Sequence, residues 1–138
     1  MPLTFTLTEG VLPKGSEKAA FRKLCEAMLS WHGQQGNQVM TPNVVDSIHL
    51  FSREHIFSGM VESEGAFVEW KVPSFAFATR EIQQGYIAEA TQIVQDFSQG
   101  RLPKERIWIN VTHAVDGTRG VAGQALTNAD LADAISQG

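Results

Sequence analysis

The sequence has a single cysteine, Cys25, among its 138 residues. An internal disulfide is therefore excluded. Because Cys25 falls on the apolar side of a predicted helix, we interpret it as a small core residue and not as a nucleophile. No apolar run approaches the roughly 20 residues of a membrane-spanning helix, and no charged-then-apolar signal pattern opens the chain. We therefore expect a cytoplasmic protein that does not bind membranes.

Concentrated positive charge is also missing. The 11 Lys and Arg are scattered and are outnumbered by 15 Asp and Glu, which gives a net charge of −4. Nucleic acid is not an expected partner, because phosphate binding requires a concentrated cationic surface. No metal site is expected either, since no metal-ligand spacing such as H-E-x-x-H links the four histidines, His32, His49, His55 and His113.

What the sequence does contain is one β-α-β pattern that occurs twice. The first copy has strands at residues 3–7 and 47–51 around a helix that starts at the N-cap Ser16 and stops at Gly33. The second copy has strands at residues 66–72 and 106–111 around a helix that starts at the N-cap Thr79 and stops at Gly100. The first helix has its apolar residues at helical spacing, namely Ala20, Phe21, Leu24, Ala27, Met28 and Trp31.

The chain length and this pattern predict one domain over residues 1–138. Its pseudo-repeats cover about residues 2–52 and 66–112, with a short hairpin at residues 55–61 between them. The C-terminal segment, residues 113–138, contains a glycine-rich loop at residues 116–123. A last helical turn follows, which Thr127 caps.

The predicted fold class is α+β, with two helices on one face of a four-stranded mixed sheet. Right-handed crossovers place both helices on the same face. The other face is expected to carry Thr4, Thr6, Trp108 and Asn110, or the residues that alternate with them, with residues such as Trp70 on a neighbouring strand. Large aromatic side chains on a face that no helix of the chain covers predict an oligomer.

Pro2 stands at the start of the first strand. Once Met1 is removed, Pro2 becomes a terminal secondary amine. An α-amino group titrates at about 7.7–8.0, far below the roughly 10.4 of a lysine. Burial lowers the pKa of an amine further. An ordered Pro2 amine is therefore suited to act as a base at neutral pH.

Four features together resemble the tautomerase superfamily: Pro2 opening a strand, the doubled β-α-β layout, the segment at residues 57–68, and the strand at residues 106–110. The chain is most similar to the long fused-repeat members, such as cis-3-chloroacrylic acid dehalogenase and malonate semialdehyde decarboxylase. The resemblance implies a 4-oxalocrotonate tautomerase/MIF-like fold and a homotrimer. It also implies a cofactor-independent enzyme in which the Pro2 amine transfers a proton on an enolisable 2-oxo acid or a related small carboxylate.

Family members usually hold the substrate carboxylate with arginines, whose planar fork binds it bidentately. At residues 73–77, where the dehalogenase has an arginine pair, this sequence has no cation, so dehalogenase or decarboxylase activity is less expected than tautomerisation. Phe75, Phe77 or Val121 is expected in an apolar wall. The candidates for binding the substrate are Asn110, Arg119, Lys71 and His113.

Two other functions stay open. The missing arginines favour a trimeric binding module that kept the fold without the chemistry. A retained Met1 would have the same consequence, because the Pro2 nitrogen would then be a tertiary amide without basicity. The β-α-β repeats also build ferredoxin-like nucleic-acid binders, which the acidic balance of charge disfavours.

Overall fold

The computed structural model describes residues 1–138 and contains eight strands and four α-helices. The first half of the chain forms β1 (Pro2–Thr8), α1 (Glu17–Trp31), the short α2 (Met40–Asn43), β2 (Val45–Phe51), β3 (Phe57–Ser58) and β4 (Val61–Glu62). The second half forms β5 (Ala66–Pro73), α3 (Arg80–Phe97), β6 (Ile107–Ala114), β7 (Arg119–Val121), β8 (Gln124–Leu126) and α4 (Asn128–Ser136). Two single-turn 3-10 helices lie at Arg53–His55 and Lys104–Arg106.

The main sheet has the strand order β2-β1-β5-β6. Strands β1 and β2 are parallel, as are β5 and β6, while β1 and β5 pair antiparallel at the centre. Each parallel pair is joined through a helix, α1 or α3, and the two helices pack against each other. The predicted α+β class with a four-stranded mixed sheet is therefore confirmed.

The hydrophobic core lies between this sheet and the two long helices. Strand alternation gives β1 and β5 one fully buried side each, which carries Leu3, Phe5 and Leu7, and Val68, Trp70 and Val72. The prediction that Trp70 lies on the face away from the helices was wrong. Its side chain is 0% exposed, and its indole Nε1 donates a hydrogen bond to the Tyr86 hydroxyl at 2.6 Å. The register explains this placement, since the alternating residues Phe67, Glu69 and Lys71 take the opposite side.

The face of the sheet away from the helices is called the open face here. It carries the predicted Thr4, Thr6, Trp108 and Asn110, to which the strand register adds Phe67, Glu69, Lys71, Val45, Ser47, His49 and Phe51. The Phe67 and Trp108 rings are stacked, with centroids 5.0 Å apart. Val45 is 50% exposed and Phe51 is 42% exposed. No helix of the chain covers this apolar surface.

The three predicted N-cap residues all occupy N-cap positions, and two of them cap their helices with side-chain hydrogen bonds. The Thr79 hydroxyl accepts the Ile82 N–H at the start of α3, and Thr127 forms a full capping box with Asp130 at the start of α4. Ser16 occupies the N-cap position of α1 as predicted, but it has helical backbone angles, and its hydroxyl donates to the Pro13 carbonyl at 2.6 Å instead of accepting a helix N–H.

The glycine-rich segment predicted as a loop forms the β7–β8 hairpin. No helix of the structure has both the length and the apolar character needed to cross a membrane. Nor does the structure bring three or more His, Cys, Asp or Glu side chains together as a possible metal site.

Candidate active site

A cavity of about 460 Å³ lies where the N-terminus meets the C-terminal elements. The end of α1, α2, the segment after β5, the β7–β8 hairpin and α4 surround it. Twelve of its seventeen lining residues are hydrophobic, namely Met1, Trp31, Val39, Met40, Phe75, Ala76, Ile82, Val121, Leu126, Leu131, Ala134 and Ile135. The site is therefore an apolar pocket to which few polar groups contribute.

The amino terminus of the chain is held in this cavity. The Met1 amine donates a hydrogen bond to the Asn43 carbonyl, and the Val45 N–H donates to the Met1 carbonyl at 3.3 Å. The Met1 residue itself is only 4% exposed. Burial, and after it the nearby Arg119 guanidinium, lowers the pKa of the Met1 amine to about 5. An amine with this pKa is unprotonated at neutral pH.

The Pro2 nitrogen is bonded to the carbonyl carbon of Met1. Because the Val45 N–H fixes the carbonyl oxygen of Met1, the Pro2 nitrogen is held at the first residue of β1, next to the cavity. Loss of Met1 would free this nitrogen as the chain terminus. It would also enlarge the cavity, since Met1 is one of the residues that line it.

Arg119 is the only Lys or Arg among the lining residues. It lies on β7 opposite Leu126 in the hairpin, and both residues face the cavity. Neither of the two salt bridges of the chain involves Arg119. Burial lowers the pKa of its guanidinium, which nevertheless stays cationic at neutral pH. The cavity therefore has one positive group that no carboxylate neutralises.

The structure of one chain does not bring the other predicted binding residues into the cavity. Lys71 and Asn110 are exposed on the open face. His113 reaches only the wall, where its Nε2 lies 2.8 Å from the Ala76 carbonyl. Phe75 and Val121 line the cavity as expected, whereas Phe77 packs behind it against His32 and Tyr86. The binding roles of Lys71, Asn110 and His113 stay predictions.

His32 is a lining residue that the sequence did not single out. Its Nδ1 lies 2.8 Å from the Met28 carbonyl, and its Nε2 accepts the Phe77 N–H at 3.1 Å. The carbonyl can only accept, so Nδ1 carries the proton and Nε2 is bare. In this arrangement the ring is neutral, and it ties the end of α1 to the segment after β5. The signal in the sequence that could have identified His32 is its position directly after the last residue of α1.

Trp31 is the second residue whose role was missed, because the sequence showed it only as part of the helical stripe. Its indole Nε1 donates to Glu89 on α3 at 2.7 Å. The ring fills a notch above Gly85, where an added Cβ would lie 2.1 Å from it. Contacts with α3 thus hold the Trp31 ring in the cavity wall.

Cys25 is half-buried, and its Sγ lies 3.7 Å from Asp46 Oδ2. Burial, followed by the nearby Asp46 carboxylate, raises the pKa of the Cys25 thiol to about 12. Since the thiolate is the reactive form of cysteine, this thiol is unreactive at neutral pH. The structure therefore agrees with the interpretation of Cys25 as a packing residue.

At the level of sequence, no family model matches the chain, and neither does any curated protein. Solved structures do match it. Pt0534 inactivated by 2-oxo-3-pentynoate aligns with a TM-score of 0.73 at 15% identity, over 95% of this chain and 98% of that one. A native fused 4-OT aligns with a TM-score of 0.72 at 14% identity, over 91% of this chain and 95% of that one.

A third structure, N1, a member of the cis-3-chloroacrylic acid dehalogenase family, aligns with a TM-score of 0.67 at 13% identity, over 91% of this chain and 83% of that one. All three structures share an α+β architecture with this chain across most of its length. The particular fold is that of the tautomerase superfamily, as the resemblance implied.

Proposed function

We propose that this protein is a cofactor-independent tautomerase that uses its terminal amine to move a proton on an enolisable 2-oxo acid. The amine is that of Pro2 once Met1 is removed. The observation that carries the proposal is the position of the chain terminus, inside an apolar cavity beside one unpaired arginine. The fold supports it, because the structural neighbours include tautomerase-superfamily enzymes.

The Pro2 nitrogen takes the hydroxyl proton of the enol, and the electrons of that O–H bond stay on the oxygen of the resulting enolate. As an oxygen electron pair then forms the carbonyl, the electrons of the C=C bond take the same proton from the Pro2 ammonium at carbon, so that the amine is regenerated. A proton carrier works best when its pKa lies near the working pH. The burial and the Arg119 charge that lower the pKa of the Met1 amine act on a Pro2 amine in the same direction.

Arg119 holds the substrate carboxylate in this proposal. A guanidinium offers two parallel N–H donors to a carboxylate, and partial burial strengthens the pairing. Arg119 is the only lining residue with such donors. Lys71 and Asn110 lie on the open face, outside the cavity of their own chain. They would contact a substrate only if assembly placed the cavity of a neighbouring subunit beside them.

We also propose that the chain forms a homotrimer through the open face. Two fused 4-OT structures with this fold are described as symmetric trimers and a third as an asymmetric trimer. The open face supports the proposal because it presents the stacked Phe67 and Trp108 and the half-exposed Val45 and Phe51. Apolar surface of this kind is typical of contacts between subunits.

Substitution of the proline tests the function. We expect Pro2→Ala to lower kcat/KM for ketonisation of phenylenolpyruvate at least about 100-fold, the usual contribution of a positioned base. The reaction is followed by loss of enol absorbance. Pro13→Ala, which makes the same change in an exposed turn, should leave the rate unaltered. Full activity of Pro2→Ala would refute the proposed role of Pro2.

A second candidate is a binding module without catalysis. The observation that favours it is the burial of Met1, whose side chain occupies part of the cavity. If Met1 is retained, the Pro2 nitrogen is an amide and cannot carry a proton. Intact mass spectrometry of the purified protein separates the two candidates, because removal of Met1 lowers the mass by one methionine residue.

Covalent labelling then locates the reactive amine. An amine N–H adds across the triple bond of 2-oxo-3-pentynoate, so the protein gains the whole mass of the reagent. We expect one adduct, on the N-terminal peptide, since the raised pKa of Cys25 keeps its thiol unreactive. An adduct on any other peptide would count against a reactive terminal amine.

A further inference from the structure

The charges around the cavity limit which ligands it can hold. Arg119 is its one cationic side chain, and no Asp or Glu lines it. The remaining polar side chains belong to His32, Gln34 and Asn43, and His32 is neutral as bonded to Phe77. A ligand with one carboxylate would be paired. A second carboxylate on the ligand would lose its hydration on entering the cavity and would find no second cation there, which is unfavourable.

Two aromatic side chains enlarge the apolar part of the wall. The ring of Trp31 is fixed by its hydrogen bond to Glu89 and by the notch at Gly85. Since its N–H is already used, the ring offers the cavity mainly apolar surface. Phe75 comes from the segment after β5 and is 41% exposed. Such surface is best covered by another flat or branched apolar group.

The C-terminal helix α4 forms a further part of the cavity wall. Leu131, Ala134 and Ile135 of α4 line the cavity, and the helix is held to the rest of the chain by a hydrogen bond from Asn37 to the Ile135 carbonyl at 2.9 Å. The volume of about 460 Å³ falls within the roughly 300–1,000 Å³ of small-molecule sites. This space exceeds what a three-carbon oxo acid would fill.

We propose that the site takes a monocarboxylate with an aromatic or branched apolar tail, and that it disfavours dicarboxylates. The carboxylate pairs with Arg119, and the tail packs against Trp31, Phe75 and α4. For the reaction, this inference rests on the proposed function. For the binding, it rests only on the charge and shape of the cavity.

Isothermal titration calorimetry with two saturated acids tests the binding directly, at pH 7 and on protein whose N-terminus has been checked by mass. We expect 3-phenylpropionate to bind at least ten times more tightly than glutarate. Equal or tighter binding of glutarate would overturn the proposal, and so would the absence of any 3-phenylpropionate binding.

A matched pair of variants locates the tail. Ala134→Phe fills the cavity from α4 and should weaken 3-phenylpropionate binding at least tenfold. Ala132→Phe places the same ring on the exposed side of the same helix and should leave binding unaltered. Equal effects of the two substitutions would show that the tail does not pack against α4 and would contradict the proposal.

The Pro2→Ala variant separates this inference from the proposed function. Its cavity keeps the lining side chains, so it should still prefer 3-phenylpropionate after losing tautomerase activity. Wild-type protein that shows the preference but turns over no enol would refute the proposed function alone. Protein that turns over dicarboxylate enols faster than phenylenolpyruvate would refute the monocarboxylate inference alone.

Discussion

At the scale of single residues, Arg119 acts on the terminal amine as a charge, and we propose that it also pairs with the substrate carboxylate. Its positive charge disfavours the ammonium form and so lowers the pKa of the amine. Arg119→Gln removes that charge, and the pKa of the amine should rise. The low-pH limb of the kcat/KM profile should then move to higher pH, because an amine with a raised pKa loses its proton, and so becomes a base, only at higher pH.

The measurement is the pH profile of phenylenolpyruvate ketonisation, with KM recorded at each pH. KM should increase as well, since the charge-assisted pair with the carboxylate is lost. Arg22→Gln makes the same substitution on the exposed side of α1 and should alter neither quantity. A profile that stays in place or moves to lower pH would show that Arg119 does not face the reacting amine.

These two residues differ in how far the sequence revealed them. Pro2 was identifiable because its position in the chain and its chemistry are both local properties. Arg119 was one of four candidates, and nothing local separated it from Lys71 or Asn110. Strand alternation fixes which side a residue faces, but not which side of the sheet holds the cavity. That depends on where the C-terminal elements pack.

At the scale of elements, the segment after β5 is held between two histidines. His32 accepts the Phe77 N–H at 3.1 Å, and His113 lies 2.8 Å from the Ala76 carbonyl. Gln83 also donates to the Phe77 carbonyl at 2.8 Å. Phe77 has a positive φ of 57°, which is unfavourable for a residue with a side chain. These hydrogen bonds hold the segment in that conformation, and its Phe75 and Ala76 form part of the cavity wall.

Removal of the acceptor at His32 should therefore destabilise the protein. His32→Ala leaves the buried Phe77 N–H unpaired, and we expect a loss of about 1–3 kcal/mol in the free energy of unfolding in urea. His32→Gln can place an amide oxygen near the position of Nε2 and should recover part of this loss. His55→Ala, in the exposed turn before β3, is the control. Equal stability of His32→Ala and wild type would show that the hydrogen bond is not needed.

The long elements followed from the sequence, as did the short β3–β4 hairpin and the capped start of α4, whereas α2 and the β7–β8 hairpin did not. Helices α1 and α3 have enough turns for a repeating apolar stripe, and β1 and β5 alternate over seven or eight residues. Strands β7 and β8 have three residues each and include or flank two glycines, so they carry too few side chains for a periodic signal. The hairpin that carries Arg119 is formed by these strands, so its geometry was the least predictable part of the site.

At the scale of the whole molecule, the cavity lies at one end of the sheet, beside the start of β1 and the end of β5, and no open-face residue lines it. Its lining residues come from the N-terminus, the end of α1, α2, α3, the segment after β5, the β7–β8 hairpin and α4. The open face carries most of the exposed apolar surface of the sheet, including Val45 and Phe51. If the open face forms the trimer as we propose, assembly and ligand binding use different residues of the chain, and a substitution in one set leaves the other set in place.

Trp108→Glu tests this separation. A carboxylate in place of the ring stacked on Phe67 would be buried between subunits without a partner, so the assembly should dissociate. Sedimentation equilibrium should give three times the 15.1 kDa of the chain for wild type and 15.1 kDa for the variant. Phe51→Glu, on the edge strand β2, should have the same effect. Ile87→Glu, on the exposed side of α3, should leave the trimer intact.

Circular dichroism identifies a variant that has lost its fold, and ligand binding gives the second readout. The dissociated Trp108→Glu chain should still bind 3-phenylpropionate, because every lining residue, Arg119 included, belongs to the same chain as the amine. A wild-type mass of 15.1 kDa would refute the trimer. Loss of binding in a folded, dissociated variant would mean that a neighbouring subunit completes the site, and the open-face residues Lys71 and Asn110 would then be the ones to replace next.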